Sequence, residues 1–324
     1  MNLHPRQALF MGEPPPRRLP VVDHYCGVEK LMRKSLALQA ARGPVFDVTL
    51  DCEDGAIVGG EAEHIAMVVE FLNGSDNRHG RVGVRVHPVE HLAFEAEIAA
   101  LAASAVPPAY LMLPKLESAG QLAQGASLID KAWRGAAPPL QVLIETHGGL
   151  REVEGIAAHP QVESLSFGLM DFVSAHHGAI PRHAMTAEGQ FQHPLVRRAK
   201  LAISAAAHGW GKVPSHCVVT ELNDQEKLKA SARMAGREFG YTRMWSIHPD
   251  QIEPILSAFS PSASEIDEAI EILEAAQAVQ WGPIRHRNEL HDRASYRFFW
   301  SLLERAQATG QTLPSKALER FFAA

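Results

Sequence analysis

Two acidic residues stand where apolar, β-like segments of this chain end. Glu145 closes the run Gln141–Ile144, and Asp171 follows the run Glu163–Phe167, 26 positions after Glu145. In a parallel barrel the carboxyl ends of consecutive strands meet at one rim, so both carboxylates would converge there. Two carboxylates close together repel each other unless a cation lies between them, and water-exposed oxygen ligands suit Mg²⁺. Two helix N-caps after two strands are the alternative explanation, since Asp is common at that position.

Further side chains that can do chemistry accompany three other β-like runs. The second run ends in Asp51, Glu53 and Asp54, the third contains Arg85, and the fourth is followed by Lys115. An arginine that faces a barrel interior is costly to bury unless an anion or carboxylates meet it. Its planar fork suits a bidentate contact with a carboxylate. Two interpretations of Arg85 stay open: a group that binds a substrate anion, and an ion pair with one of the three carboxylates.

The segments that would position these residues alternate between strand-like and helix-like patterns. Eight strands with intervening helices favour an α/β fold of the TIM (β/α)8 barrel type over an open doubly wound sheet, and no glycine-rich nucleotide motif follows a strand. We therefore predict a barrel domain over residues 1–259. The eight predicted strands are Ala8–Met11, Val45–Leu50, Val82–Val86, Tyr110–Leu113, Gln141–Ile144, Glu163–Phe167, His216–Val219 and Tyr241–Ile247.

A helical extension is predicted over residues 260–324. Ser264 is the expected N-cap of a helix that runs to about Gln280, a loop follows over Ile284–Asp292, and a last amphipathic helix covers Ser295–Ala308. An extension of this size after a closed barrel is expected to cover the barrel mouth as a lid or to pack on a neighbouring subunit.

Composition narrows the class of protein. The 324 residues are 46% hydrophobic and 21% charged, which is ordinary for a soluble enzyme. The formal net charge of −6 argues against nucleic acid or an anionic membrane as the main partner, and no apolar run has membrane-spanning length. Cys26, Cys52 and Cys217 show no metal spacing or pairing, which fits reduced thiols in the cytoplasm.

Six segments, in order, resemble the citrate lyase β-subunit and malyl-CoA lyase family, the citrate-lyase branch of the HpcH/HpaI aldolase superfamily. The resemblance spans about residues 6–308. The matching segments are Phe46–Ala56 (the family's Leu-Glu-Asp segment), Val84–Pro88 (Val-Arg-Ile-Asn), Leu113–Ser118 (Leu-Pro-Lys-x-Glu), Ile144–Thr146 (the metal-binding glutamate), Phe167–Asp171 (Phe-Gly-x-x-Asp) and Gly240–Ile252 (the Ile-His-Pro block).

The resemblance implies a TIM barrel, usually trimeric, that reversibly cleaves a carbon–carbon bond of a 3-hydroxyacyl thioester. The products would be an acyl thioester and a 2-oxo acid, and some relatives also hydrolyse the thioester. The expected substrate is a malyl-, citramalyl- or citryl-type CoA thioester, and the expected cofactor is Mg²⁺. The implied site residues are Glu145 and Asp171 for the metal, Arg85, Glu53, Asp54 and Asp292 for catalysis, and Arg85, Gly168, Leu169 and Met170 for substrate binding. The family's lid acid, to which Asp292 aligns, comes from a neighbouring subunit and exchanges a proton with the acyl group.

The chain departs from the family at three places. The amino-terminal Leu-Phe-Val-Pro-Gly segment, which helps hold the nucleotide of CoA, aligns with Leu9–Glu13, lacks the proline and is followed by about fifteen extra residues. His87 replaces the usual asparagine of the third strand, and the lid motif around Asp292 is altered. Two other functions therefore stay open: a metal-dependent aldolase for a free 4-hydroxy-2-oxo acid, and a citrate lyase-like subunit that acts on an acyl carrier protein thioester.

Two further expectations complete the prediction. Lys115 could be a Schiff-base lysine on barrel geometry alone, but the family does not use it so, and a carboxylate partner such as Glu53 or Asp54 is favoured. The expected partners are small-molecule substrates and other copies of the chain, in a trimer or a dimer of trimers.

Overall fold

The computed structural model describes residues 3–13, 16–56 and 58–322. Its central element is a closed barrel of eight parallel strands, in which each strand pairs with the next along the chain and the eighth pairs with the first. This confirms the predicted α/β fold, a TIM barrel followed by C-terminal helices. The strands are β1 (Val22–Cys26), β2 (Phe46–Asp51), β3 (Val82–Arg85), β4 (Leu111–Leu113), β5 (Leu140–Ile144), β6 (Val162–Phe167), β7 (Val213–His216) and β8 (Arg243–Ser246).

Helices connect the strands and continue after the barrel. Among the described residues, none of them is long and apolar enough to cross a membrane. The α-helices are α1 (Pro5–Phe10), α2 (Glu29–Arg42), α3 (Glu61–Asn73), α4 (Phe94–Ala102), α5 (Ala119–Ala132), α6 (His147–Arg151), α7 (Val153–Ala157), α8 (Leu169–Ser174), α9 (Pro194–Gly209), α10 (Gln225–Glu238), α11 (Ile252–Phe259), α12 (Ala263–Ala278), α13 (Arg293–Ala308) and α14 (Ser315–Phe321), with short 3₁₀ turns at Arg182–Met185, Gly189–Phe191 and Pro249–Gln251.

The strand predicted at Ala8–Met11 is wrong, because helix α1 occupies this segment. Pro5 fits the first helical position, where a missing N–H leaves no bond unmade, and the His4 side chain accepts a hydrogen bond from the backbone N–H of Arg6. The first barrel strand is β1, which follows the proline-rich stretch. The extra residues therefore precede the barrel and do not interrupt its first strand–helix connection.

Two other boundaries also differ from the prediction. β7 covers Val213–His216 and not His216–Val219, so the strand ends where the sequence suggested it begins. Helix α12 is capped by Ser262 and not by Ser264; the Ser262 side chain accepts from the Glu265 N–H, and the Glu265 carboxylate accepts from the Ser262 N–H. This reciprocal capping box satisfies two otherwise unpaired backbone donors.

The segment predicted as a loop over Ile284–Asp292 contains a β-hairpin. Its strands are β9 (Ile284–His286) and β10 (Glu289–His291), which pair antiparallel. Arg287 and Asn288 join them with φ angles of 44° and 71°, as a two-residue type I′ turn requires. Neither residue is a glycine, so the turn lacked its usual sequence signal.

The chain divides into two compact units. One is the barrel, Arg17–Ala258, and the other combines the described residues of Met1–Pro16 with those of Phe259–Ala324. The amino-terminal segment, which the sequence placed at the start of the barrel domain, thus groups with the C-terminal helices. The core of this second unit includes Leu9, Tyr296 and Trp300, and Arg6 forms an ion pair with Glu304 at 3.0 Å.

A buried polar network fills the barrel interior at the amino-terminal ends of the strands. Arg243 contacts Asp47 at 2.5 Å and Asp23 at 3.1 Å. The Thr49 hydroxyl donates to Asp23 at 2.6 Å, and the Tyr110 hydroxyl lies 2.6 Å from that of Thr49. These charges are tolerated in the interior because each carboxylate meets the guanidinium or a hydroxyl.

Candidate functional site

The five rim positions predicted to carry chemistry come together at the carboxyl-terminal ends of the strands. Asp51 and Arg85 are the last residues of β2 and β3. Lys115 follows β4, Glu145 directly follows β5, and Asp171 lies in the first turn of α8 after β6. The order of the strands around the barrel places these five residues on neighbouring strand ends.

Arg85 is an ion-pair residue in this structure. Its Nε and Nη2 donate to the two oxygens of Asp51 at 2.7 and 3.0 Å, a bidentate contact between two buried groups. Nη1 lies 3.1 Å from Glu53 Oε2 and 4.0 Å from Asp54 Oδ2. The ion pairing of Arg85 that the sequence analysis left open therefore occurs, and it involves all three carboxylates. The fork is fixed on Asp51, and Nη1 is the edge that faces the other two.

An aromatic pair supports the guanidinium from β1 and β8. The Arg85 Cζ lies 4.7 Å from the centroid of the Tyr25 ring, and Nη2 donates to the Tyr25 hydroxyl. Tyr25 in turn stacks on Trp245 with centroids 5.4 Å apart. Cation–π contact and hydrogen bonding together hold the planar group in one orientation. The sequence analysis did not identify Tyr25, because it placed the first barrel strand at Ala8–Met11 and not at β1.

Lys115 links the acidic groups of the rim. Its ammonium donates to Glu53 and, at 3.0 Å, to Asp54 Oδ1, and it lies 3.9 Å from Asp171 Oδ1. The carboxylate partners predicted for this lysine are confirmed. Partial burial would lower the pKa of Lys115, but the hydrogen bonds to Glu53 and Asp54 raise it above its usual value. The amine is therefore protonated at neutral pH, which disfavours a Schiff-base role.

Glu145 is the most perturbed carboxyl of the rim. Its side chain is 1% exposed. One carboxylate oxygen accepts a hydrogen bond from the backbone N–H of Lys115 at 2.8 Å, and this is its only hydrogen bond to any of the described residues. Burial, followed by the charge of Asp171, raises the pKa of Glu145 to about 8. The chain approaches the same carboxylate at Gly168, where any Cβ would overlap Glu145 Oε2. Glycine is thus required there for steric reasons.

Glu145 and Asp171 have the features of a site for a hard divalent cation. A bound cation would offset both the burial and the repulsion from Asp171 that raise the pKa of Glu145, and both residues offer the oxygen ligands that Mg²⁺ prefers. Among the described residues, no group of three or more His, Cys, Asp or Glu side chains could hold a metal ion. Mg²⁺ is commonly bound by one or two carboxylates, with water or substrate in its other coordination positions. Glu145 and Asp171 therefore fit this ion.

A cleft of about 360 Å³ lies on the side of β2 and β3, next to Lys115. Glu53, Asp54 and Lys115 form one part of its lining, and His87 and His91 form another. The buried Glu97 of α4 contacts His87 from behind. Glu97 had no recognisable signal in the sequence, because its position depends on the path of the chain between β3 and α4.

The remaining predicted residues lie in different surroundings. Leu169 is buried at the start of α8, and Met170 is partly exposed beside it. Asp292 lies in the other compact unit, where it is the N-cap of α13 and its carboxylate accepts from the Ala294 N–H at 2.9 Å. The substrate-binding roles of Gly168, Leu169 and Met170 and the catalytic role of Asp292 stay predictions.

Comparison with known proteins gives consistent matches. The profile of the HpcH/HpaI aldolase/citrate lyase family matches residues 32–249. A citrate lyase from Burkholderia xenovorans LB400, known from its crystal structure, is 54% identical, with a TM-score of 0.86 over 98% of this chain and 100% of that one. The L-malyl-CoA/β-methylmalyl-CoA lyase of Cereibacter sphaeroides is 28% identical over 281 residues, 81% of this chain and 88% of that protein.

A more distant structure shares the fold. The protein CitE from Mycobacterium tuberculosis, in complex with magnesium, acetoacetate and coenzyme A, has a TM-score of 0.69 at 24% identity. The match covers 89% of this chain and 98% of that one.

Proposed function

The chain belongs to the HpcH/HpaI aldolase/citrate lyase family, and from this premise we propose that it is a Mg²⁺-dependent carbon–carbon lyase. Its substrate would be a 3-hydroxyacyl-CoA thioester of malyl, citramalyl or citryl type, and its products an acyl-CoA and a 2-oxo acid. The observation that carries the proposal is the convergence of Glu145, Asp171 and Arg85 on one barrel rim. The lyase name of the Cereibacter relative supports the reaction class.

Glu145 and Asp171 are the residues that would hold the cation. When bound, Mg²⁺ supplies Lewis-acid stabilisation of negative charge on the substrate oxygens. The magnesium in the CitE structure supports this choice of ion. Gly168 leaves room for the Glu145 carboxylate, and the Lys115 backbone N–H fixes one of its oxygens.

Arg85 would bind the carboxylate of the 2-oxo acid part. Asp51 holds the Nε and Nη2 edge, so the substrate carboxylate would meet the guanidinium at Nη1, where Glu53 now lies at 3.1 Å. Glu53 can give way because Lys115 is a second cationic partner for it. Burial raises the pKa of Glu53 even beside these two cations. Its protonation on substrate binding would therefore cost less than that of an exposed carboxylate.

The decisive experiment is a screen of 3-hydroxyacyl-CoA thioesters with Mg²⁺ that records both free thiol and 2-oxo acid. We expect oxo acid without free thiol, and release of thiol without oxo acid would mean a thioesterase. Glu145→Gln and Asp171→Asn should abolish the Mg²⁺-dependent cleavage while circular dichroism stays unchanged. Glu226→Gln, a change at an 82% exposed carboxylate of α10, is the matched control and should stay active.

Three results would change the proposal. Full activity in excess chelator would remove the metal from the mechanism. Cleavage of free 4-hydroxy-2-oxo acids with no CoA binding would identify an aldolase. Cleavage of the thioester only on an acyl carrier protein would identify a citrate lyase-like subunit. The resemblance also supports a homo-oligomer, a trimer or a dimer of trimers, which light scattering measures directly.

A further inference from the structure

A histidine–glutamate pair borders the site and has no role in the chemistry above. His87 Nδ1 lies 2.5 Å from Glu97 Oε1, and the His87 backbone N–H donates to Glu97 Oε2 at 2.9 Å. Glu97 is 1% exposed, and each of its two oxygens contacts this one residue. Burial raises the pKa of Glu97, and the two hydrogen bonds from His87 oppose that rise.

These contacts decide which ring nitrogen of His87 can exchange a proton. Because a carboxylate accepts at Nδ1, the neutral ring carries its hydrogen there and leaves the lone pair on Nε2. The His91 ring stacks on His87 with centroids 4.2 Å apart and planes at 14°, which fixes the plane of the imidazole. A base held in this way by a third group is the arrangement that general base catalysis uses.

The pair lies close to the proposed lyase site. His87 lines the same cleft as Asp54 and Lys115. Lys115 Nζ is 3.0 Å from Asp54 Oδ1 and 3.9 Å from Asp171 Oδ1, so the lysine connects the cleft to one of the two carboxylates proposed to hold the cation. A substrate that extends from Asp171 across Lys115 would enter the cleft and meet His87.

The charge of the cleft indicates which end of the substrate enters it. Its lining carries three carboxylates, Glu53, Asp54 and Glu61, and one ammonium, Lys115. A second substrate carboxylate would be repelled there, whereas the thioester group and the carbon next to it carry no charge. That end also carries the carbon whose proton must move, because cleavage produces an enolate there.

We propose that His87, oriented by Glu97, is the proton-transfer residue for the acyl end of the thioester. In the condensation direction, Nε2 takes a proton from the carbon next to the thioester carbonyl, and the electron pair of that C–H bond forms the enolate. In cleavage, the substrate hydroxyl gives its proton to solvent and its O–H electron pair forms the carbonyl of the oxo acid. The electron pair of the broken C–C bond forms the same enolate, and the Nε2–H returns its proton to that carbon. This inference rests on the proposed lyase function and gives a barrel residue the role that the resemblance gives to Asp292.

The test is the exchange of acetyl-CoA methyl protons for deuterium in D₂O, followed by NMR, with Mg²⁺ and with oxalate as an unreactive stand-in for the oxo acid. His87→Ala should slow exchange by at least about 100-fold, the usual contribution of a positioned general base. Glu97→Gln should slow it by about tenfold, since it keeps the ring but loses the charge that orients it. His208→Asn, on the exposed face of α9, is the control and should exchange at the wild-type rate.

A rescue experiment separates chemistry from structure. Added imidazole should restore at least a tenth of the lost exchange in His87→Ala, because the truncated side chain leaves space that opens to the cleft. A residue with only a structural role would show no such rescue. Exchange at the wild-type rate in His87→Ala, or its loss in Asp292→Asn with His87 intact, would overturn the inference.

The same measurements distinguish the two proposals. Normal exchange in His87→Ala together with Mg²⁺-dependent cleavage by the wild type would refute the role of His87 and leave the lyase function intact. Exchange that depends on His87, without cleavage of any thioester in the panel, would support His87 and refute the lyase function. A wild-type protein that shows neither reaction would overturn both.

Discussion

Replacing Arg85 with lysine tests the centre of the site, because it keeps the charge and removes the planar fork. The guanidinium makes three contacts with carboxylate oxygens within 3.1 Å, two to Asp51 and one to Glu53. An ammonium can keep one of the two Asp51 contacts and cannot span both oxygens. Losing a hydrogen bond between charged groups at a fully buried carboxylate costs about 2–3 kcal/mol of unfolding free energy.

The effect on catalysis follows from the same geometry. A substrate carboxylate reaches Nη1 only while Asp51 holds the other edge of the fork, so a lysine drawn toward Asp51 leaves the substrate without its partner. We expect kcat/KM for the best thioester to fall by at least about tenfold, or 1.4 kcal/mol. Urea unfolding and steady-state kinetics on the same preparation measure the two effects separately.

Arg81→Lys is the matched control. Arg81 contacts the buried Asp47 at 2.6 Å, at the opposite end of the barrel from the site. Lysine there should cost about 1–2 kcal/mol of unfolding free energy, because the pair is partly exposed, and should change kcat/KM by no more than about twofold. If both variants lose kcat/KM equally, the loss reflects stability and not substrate binding. If Arg85→Lys keeps full kcat/KM, Arg85 is an ion-pair residue alone.

Three further changes probe other parts of the molecule. Gly168→Ala should weaken Mg²⁺ binding by at least about tenfold in calorimetry, because the new Cβ displaces the Glu145 carboxylate; equal affinity would place the cation elsewhere. Asp292→Asn should lower the free energy of unfolding by no more than about 1 kcal/mol, because asparagine also caps helices, and it should keep the deuterium exchange. If Asp292→Asn is inactive and regains activity when it is co-folded with an inactive Arg85→Ala chain, Asp292 is the acid and acts on the site of a neighbouring subunit. Burial lowers the pKa of Lys200, so between its folded value and the ordinary lysine value the unfolded chain binds more protons at this residue than the folded chain does. The contribution of Lys200 to stability should therefore rise with pH over that range. Lys200→Met should remove this contribution, measured as a difference in slope from the wild type in urea titrations, and an unchanged slope would contradict the assignment.

The rim residues were predictable because the signal for each is local. Arg85, Glu145 and Asp171 lie in or directly after short apolar runs, and the parallel barrel turns such positions into neighbours. Lys115 follows β4, and Glu53 and Asp54 follow β2, so the carboxylate partners predicted for this lysine lie on the same rim, two strands away.

The features that the sequence did not reveal depend on partners far along the chain. β1 carries Asp23 and His24, which look unsuited to a buried strand until Thr49 and Ser246 are placed beside them. Glu97 is one glutamate among several in an ordinary helical pattern, and only the folded chain brings it to His87. The local sequence pattern therefore identified the rim residues that can do chemistry, whereas the groups that orient them could be found only in the tertiary structure.

The polar network around Arg243 has a consequence for the synthesis of the protein. Asp47 and Arg243 are 196 positions apart in the chain. At typical translation rates, about 10–40 s pass between the two residues, during which Asp23 and Asp47 lack their common cation. Asp47 can pair earlier with Arg81, but the only ion pair of Asp23 among the described residues is with Arg243 of β8, and an unpaired carboxylate resists burial. The nascent barrel thus stays open through most of its synthesis, and its apolar strands depend on protection from aggregation until the last strand arrives.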